Sequence, residues 1–169
     1  MRRRHFLATL GAGTLAGCGV LGGGSDFERA EDPFTDVNSE ERGNATVQSG
    51  LAILEQGQFA AAGFQGGTRS DTFTLEVTGQ VMQGGPVDVY IMTLPQFNEF
   101  KRRPNIVPSE IELSNTNAPD LSREMPIGEY FLVFDNTPLG RATPSGEARI
   151  EFSITVGATS TETPTTTSG

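Results

Sequence analysis

An alternation of apolar and polar residues with a period of two runs through the middle of this chain. Apolar residues at 73, 75 and 77 alternate with polar ones, and the segments 87–91, 111–113 and 150–156 repeat the pattern. Successive side chains of a β-strand point to opposite faces of a sheet, so each segment predicts a strand with one buried and one exposed face. The body of the chain is therefore predicted to be all-β.

Further strands follow from less regular segments. Residues 130–134 (YFLVF) are apolar throughout, which predicts a strand in the middle of a sheet, covered on both faces. Residues 51–54 and 58–64 could supply two more, although the three alanines at 60–62 leave the second ambiguous with a helix. Gly- and Pro-rich breaks separate the segments. About seven or eight short strands at this spacing predict a single antiparallel β-sandwich, jelly-roll-like, over residues 46–157.

One short helix is predicted at residues 95–103. Pro95 suits the first turn of a helix, and Phe97 and Phe100 lie three residues apart on one face. We expect this helix to cap one end of the sandwich. The basic cluster Lys101–Arg103 at its end either complements the helix dipole or docks on an anionic polymer or the membrane surface.

The charge of the chain excludes one class of partner. The formal net charge is −9, and without the three arginines of residues 2–4 the chain carries 9 basic and 21 acidic residues, a net −12. Such a surface repels polyanions, both nucleic acid and anionic lipid headgroups, because phosphate binding needs clustered Lys and Arg. Lys101 is the only lysine, and this Arg-rich, acidic composition resembles that of haloarchaeal proteins, in which dense carboxylates keep the surface hydrated at high salt.

The first residues have the order of an export signal: a cationic cluster followed by an uncharged, largely apolar stretch at residues 6–16. This stretch is shorter than the roughly 20 residues that span a bilayer. Residues 3–7 (RRHFL), with Arg3 and Arg4, resemble the twin-arginine export signal. Residues 15–18 (LAGC) resemble a lipobox, which implies cleavage before Cys18 and a lipid on its thiol. The alternative is that Cys18 is a small apolar residue near the end of a cleaved signal.

The flanking segments divide the chain into four parts. Residues 1–17 are interpreted as the export signal, and residues 18–45 as a lipid-anchored, acidic, flexible spacer that begins with a Gly/Ser run at 22–25. Asn44 opens a glycosylation sequon, which would be exposed there. Residues 158–169 form a Ser/Thr-rich tail with no apolar surface to bury, predicted to be disordered, either as an O-glycosylated stalk or as an unmodified end.

The sequence contains few residues that could take part in catalysis. The only histidine, His5, lies in the leader, and the only cysteine is the predicted lipidation site, which excludes imidazole- and thiol-based catalysis from the mature body. A carboxylate pair of Asp88 and Asp135 is the remaining possibility. The alternation predicts Asp88 on the solvent face, and Asp135 precedes a turn. We therefore predict that the chain has no catalytic residues and is not an enzyme.

Calcium is the only metal that the sequence suggests, because it binds carboxylate and amide oxygens. Residues 36–40 (DVNSE) resemble the start of a calcium loop but lack its later Gly and Glu. Asp135 and Asn136 form a second candidate pair, whose alternative role is to form a turn. No cofactor is expected, with calcium left open.

Two segments of the body, 85–91 (GPVDVYI) and 128–136 (GEYFLVFDN), resemble the GOLD and bacterial pre-peptidase C-terminal sandwich domains. The resemblance implies an accessory or interaction domain. Together these observations predict a non-enzymatic lipoprotein, anchored through Cys18 to the outer face of the cytoplasmic membrane, with an extracellular protein or glycan as its partner. The alternatives are a calcium- or carbohydrate-binding surface module and a carboxylate-dependent hydrolase.

Overall fold

The structure is a computed structural model that describes residues 27–66, 72–103 and 109–158. These residues form ten strands and one helix in the order β1 (Glu28–Arg29), β2 (Phe34–Arg42), β3 (Ala45–Leu54), β4 (Gln58–Gly66), β5 (Thr72–Gln83), β6 (Val87–Thr93), α1 (Leu94–Arg102), β7 (Ile111–Thr116), β8 (Asp120–Pro126), β9 (Gly128–Asn136) and β10 (Ala148–Ala158). Within these ranges no helix is long and apolar enough to cross a membrane.

The strands form two five-stranded sheets that pack face to face. Sheet A has the order β1-β4-β9-β6-β7, and sheet B has the order β2-β3-β10-β5-β8. The antiparallel pairs are nested, with β3 on β10, β4 on β9, β5 on β8 and β6 on β7. A long hairpin that rolls up into two sheets produces this nesting, which is the topology of a jelly roll. The predicted all-β sandwich is confirmed, with ten strands rather than seven or eight.

The main core lies between the sheets and is built by the inward face of each alternating strand. Phe73, Leu75 and Val77 of β5 meet Val89, Ile91 and Phe134 of sheet A, and all six are at most 2% exposed. Strand β9 pairs with β4 and β6 and is buried on both faces, as its continuous apolar sequence predicts. The ambiguous alanine run belongs to β4, where Ala60, Ala61 and Ala62 are all buried.

The helix α1 covers the outer face of sheet A. Thr93 precedes it, and the Thr93 backbone N–H donates to the side chain of Gln96 at 2.8 Å, which fixes the first turn. Phe97 and Phe100 form a second apolar cluster with Phe59, Tyr90 and Met92. The prediction that this helix caps an end of the sandwich is wrong: it crosses a face, because that face carries its own apolar residues.

The predicted spacer over residues 18–45 is also wrong from Phe27 onward. Strand β1 pairs with β4, and β2 pairs with β3 along most of its length. Phe34 of β2 contacts Phe152 of the core at a ring distance of 5.7 Å. Residues 36–40 are part of this strand, so the proposed calcium loop is not a loop. The other eight residues of β2 are exposed, so its sequence lacks the alternation that marks a half-buried strand.

Candidate functional site

Several predicted site residues fall outside the described part of the chain. Cys18, Arg3 and Arg4 lie in residues 1–26, and the predicted tail lies in residues 159–169 except for Ala158, which ends β10. Asn44 is described, and it is exposed in the turn between β2 and β3. Its side chain is therefore accessible to a glycosyltransferase, as the sequon requires.

Asp88 and Asp135, which we call the carboxylate pair, lie directly opposite each other on neighbouring strands β6 and β9. Both side chains are on the outer face of sheet A, and Cβ atoms at such positions are about 5 Å apart. Asp88 is 0% exposed and Asp135 is 1% exposed. The prediction that Asp88 faces solvent is therefore wrong, because α1 and the loop between β9 and β10 cover the outer face as well.

Backbone N–H groups from strand β7 and from the β9–β10 loop surround the Asp88 carboxylate. Its Oδ1 accepts from the N–H of Asn115 at 2.7 Å. Its Oδ2 accepts from the N–H groups of Arg141 at 2.6 Å and Ala142 at 2.9 Å. Three such donors suit a carboxylate and replace the water that burial removes. The side chain of Asp88 thus fastens the β9–β10 loop and strand β7 to the centre of sheet A.

The local backbone is shaped to make these bonds. The register of β7 against β6 shifts between Val87 and Val89, at the position of Asp88, and Asn115 has a φ of 52°. A bulge of this kind removes an N–H from the ladder and aims it elsewhere, here at Asp88. On the opposite side, a Cβ at Gly140 would lie 2.0 Å from the Asp88 Oδ2. Only glycine lets this loop approach the carboxylate so closely.

Asp135 has fewer partners than Asp88. Its Oδ1 accepts from the N–H of Thr137 at 2.9 Å, a turn-forming bond of the kind expected where a strand ends. Its Oδ2 is buried without a hydrogen-bond partner among the described residues. Burial, opposed by the bonds to Thr137 and assisted by the charge of Asp88, raises the pKa of Asp135 to about 7. Burial thus favours the protonated form of this carboxyl group.

Tyr90 completes the buried polar group. It follows Asp88 by two residues on the same face of β6 and is 1% exposed. Burial first, then the neighbouring Asp88 and Asp135, raise the pKa of Tyr90 well above its ordinary value, so its hydroxyl stays protonated and hydrogen-bonds to Asp88. Sequence reasoning did not single out Tyr90. Its spacing of two from Asp88 is the signal that would have placed both on one face.

Asn136 points the opposite way from Asp135. Its amide nitrogen donates to the carbonyl oxygens of Leu54 at 3.2 Å, Glu55 at 3.1 Å and Gly146 at 2.9 Å. It therefore joins the turn after β3 to the loop before β10. Because Asp135 and Asn136 lie on opposite faces of β9, they cannot bind one calcium ion together, and the predicted pair is not a metal site. Across the three described ranges no group of three or more His, Cys, Asp or Glu residues could hold a metal.

An open acidic cleft of about 420 Å³ lies where β1 and the segment after it meet the turn between β3 and β4. Its lining includes five carboxylates and one cation: Glu28, Glu31, Asp32, Glu55, Glu147 and Arg29. The side chain of Gln58 closes the turn by accepting from the N–H of Glu55 at 3.0 Å. The cleft is open to solvent and negative, so its chemistry suits a hydrated cation.

Aromatic side chains in the described ranges are all at least partly buried. Phe97 and Phe100 are 3% and 0% exposed and pack on sheet A. Phe131 stacks on Phe97 at a centroid distance of 4.5 Å, so it too is used internally. The described surface therefore lacks an open aromatic platform on which a sugar ring or a base could stack.

Comparison with known proteins does not assign a family. No protein-family model matches the chain, and no curated protein matches it either. Among solved structures, one similar chain is described as "CBM4 structure and function". It is 11% identical, the match covers 73% of this chain and 78% of that chain, and the TM-score is 0.29. A TM-score this low supports no inference about function, so the assignment of fold and site stands on the geometry above.

Proposed function

We propose that this chain is an exported lipoprotein whose β-sandwich acts in binding or assembly at the outer face of the cytoplasmic membrane. The observation that carries the proposal is the order of motifs at the start of the sequence: paired arginines, an apolar stretch too short to span a bilayer, and a cysteine preceded by Leu-Ala-Gly. A two-chain lipid on Cys18 would anchor the domain stably without a membrane-spanning helix.

The burial of the carboxylate pair supports a non-enzymatic role. Asp88 is saturated by backbone donors, and Asp135 lies beside it with at most 1% of its surface exposed. A substrate could contact either carboxyl group only if the β9–β10 loop moved away and the hydrogen bonds to Asp88 broke. The pair is therefore best explained as a structural element that closes the sandwich, and we propose no hydrolytic activity.

The outer face of sheet B is the surface best suited to a polar partner. Strands β5, β8 and β10 present hydroxyl and carboxylate side chains there, at the positions that alternate with the core residues: Thr74, Glu76, Thr78, Ser122, Glu124, Ser153 and Thr155. Rows of such groups can hydrogen-bond to an extended polar chain of protein or glycan. A glycan bound here would be held by hydrogen bonds rather than by stacking on aromatic rings.

Replacing Cys18 by Ser is expected to abolish lipid labelling and to release the protein from the membrane fraction. The physical reason is that the two-chain lipid on the thioether is the only predicted attachment strong enough to hold the domain stably at the membrane. Cells fed a labelled lipid precursor are fractionated, and label and protein are measured in membrane and soluble fractions.

A matched control moves the thiol instead of removing it. The double substitution Cys18→Ser with Ser25→Cys keeps one cysteine in the chain but places it outside the Leu-Ala-Gly context, and it should remain unlabelled. Replacing Arg3 and Arg4 by Lys keeps the charge and should block export through the twin-arginine route. Equal labelling and equal membrane retention of Cys18→Ser and the original chain would remove the anchor from the proposal.

A calcium-binding surface module is the second candidate; the described carboxylates form no preformed ligand group, so calcium could bind at the acidic cleft only with most of its water ligands retained. If Ca²⁺ binds the folded protein there, added calcium should raise the melting temperature, because a ligand that binds only the folded state stabilises it by mass action. The rise should disappear when Glu31 and Asp32 are replaced by Gln and Asn, and it should persist when Glu76 and Glu124, on the other sheet, are replaced by Gln. Unchanged melting across a calcium titration would end this alternative.

A further inference from the structure

The C-terminal end of α1 carries the one run of consecutive basic residues that follows the predicted leader. Lys101, Arg102 and Arg103 are all exposed. Within the described part of the chain, Glu99 is their only carboxylate partner, at 3.5 Å from Arg102 and 3.5 Å from Arg103. The Nζ of Lys101 lies 4.8 Å from the ring centre of Phe97. Three cations against one carboxylate leave this end of the helix positive on a chain that is strongly negative overall.

The chain enters the sandwich next to this cluster. Phe27, the first described residue, stacks on Phe59 at 4.6 Å and meets the edge of Phe100 at 5.1 Å. Phe100 immediately precedes Lys101 in α1. The point at which residues 1–26 join the domain and the basic cluster are therefore on the same face, the outer face of sheet A.

The length of the intervening chain limits how the domain can be placed. Nine residues lead from Cys18 to Phe27, and even fully extended they reach only about 30 Å. A domain of this size is roughly 35 Å across, judged from a radius of gyration of about 14 Å. If Cys18 is held at the lipid surface, Phe27 lies within about 30 Å of the bilayer, so the outer face of sheet A can lie against the bilayer while the outer face of sheet B is turned away from it.

We propose that this α1 face docks on an anionic bilayer, with Lys101, Arg102 and Arg103 against the lipid phosphates. The proposal rests on the lipid anchor of the proposed function. Guanidinium groups pair with phosphate in a bidentate manner, and a basic residue near an anionic membrane contributes about 1 kcal/mol. The acidic cleft begins at Glu28, the residue after Phe27. Its carboxylates repel the same lipid and oppose the approach of that edge, so the docking free energy is the net of the two effects.

The only lysine of the chain makes this docking measurable. The lipidated protein, purified from cells, is reconstituted into vesicles of phosphatidylcholine alone and into vesicles of phosphatidylcholine mixed with phosphatidylglycerol. A water-soluble amine reagent then labels Lys101, and peptide mapping separates this product from labelling of the N-terminal amine. We expect acylation of Lys101 to be about five-fold slower on the anionic vesicles, which corresponds to a net docking free energy of ~1 kcal/mol.

Matched substitutions identify the groups responsible. Replacing Arg102 and Arg103 by Gln should remove the protection of Lys101, whereas replacing the exposed Arg42 and Arg123 by Gln removes the same charge elsewhere and should preserve it. Equal labelling rates on the two kinds of vesicle, or protection that survives loss of Arg102 and Arg103, would overturn the docking proposal. Flotation of the protein with the vesicles reports the anchor separately: protein that fails to float contradicts the proposed function itself.

Discussion

Replacing Asp135 by Asn is expected to make the protein more stable than the original chain at pH 8 and no more stable at pH 4. The folded state holds the proton of Asp135 more tightly than the unfolded state, because burial raises the pKa from 3.8 to about 7. Rising pH therefore favours unfolding across the window between about pH 4 and pH 7 to 8. A shift of this size is worth on the order of 4 kcal/mol, and the Asn variant lacks the titrating group.

The measurement is the free energy of unfolding from denaturant titrations at a series of pH values. The control is Asp120→Asn on the edge strand β8, where the carboxylate is exposed and its loss should leave the pH profile unchanged. If the original chain and Asp135→Asn keep a constant difference in stability from pH 4 to pH 8, then Asp135 ionises normally in the folded protein and the account of its burial is incorrect.

Replacing Asp88 by Asn is expected to destabilise the protein by about 3 kcal/mol near neutral pH. Hydrogen bonds to a charged acceptor are worth more than neutral ones, and buried N–H groups left without an acceptor cost ~1 to 3 kcal/mol each. The Asn side chain keeps one acceptor oxygen. Its NH₂ group takes the place of the other oxygen, so it would face a backbone N–H that has lost its acceptor. The β9–β10 loop should loosen first, because Arg141 and Ala142 are both held by Asp88 Oδ2.

Two measurements separate this effect from general loss of stability. Hydrogen exchange at the amides of Asn115, Arg141 and Ala142 should accelerate far more than exchange at the central strand β9. The pH profile should also shift, because the charge of Asp88 contributes to the raised pKa of Asp135. A double-mutant cycle with Asp135→Asn measures that coupling. Exchange that rises uniformly across the domain, with no coupling, would show that Asp88 does not fasten the loop.

The buried carboxylate pair shows what the alternation of apolar and polar residues cannot predict, namely whether the outer face of a strand is exposed. The pattern assigned Asp88 correctly to the face of β6 opposite Val87, Val89 and Ile91, but that face was then equated with solvent. Whether an outer face is exposed to water depends on what covers it, and at Asp88 the cover includes Arg141 and Ala142 of the β9–β10 loop, which are distant in sequence. For the same reason the pattern missed Tyr90 as part of a polar group.

The edge strands show a second limit. Strand β2 has one core-facing aromatic residue and β8 has only Leu121 and Met125 among polar residues. An edge strand is held largely by backbone hydrogen bonds to one neighbour, and those bonds leave no trace in side-chain hydropathy. The sequence pattern therefore predicted neither segment as a strand, and β2 was assigned to the spacer.

What the sequence determined by itself is what depends on local periodicity and composition: the all-β class, the existence of strands β5, β6 and β10, the buried strand β9, and an export and lipidation hypothesis that lies outside the described residues. The tertiary structure alone decided the nested pairing of strands, the position of α1 across a face, and the meeting of Asp88 with Asp135 and the β9–β10 loop. These depend on contacts between residues far apart in the chain, whose energies are set by burial and by hydrogen-bond geometry that no local pattern contains.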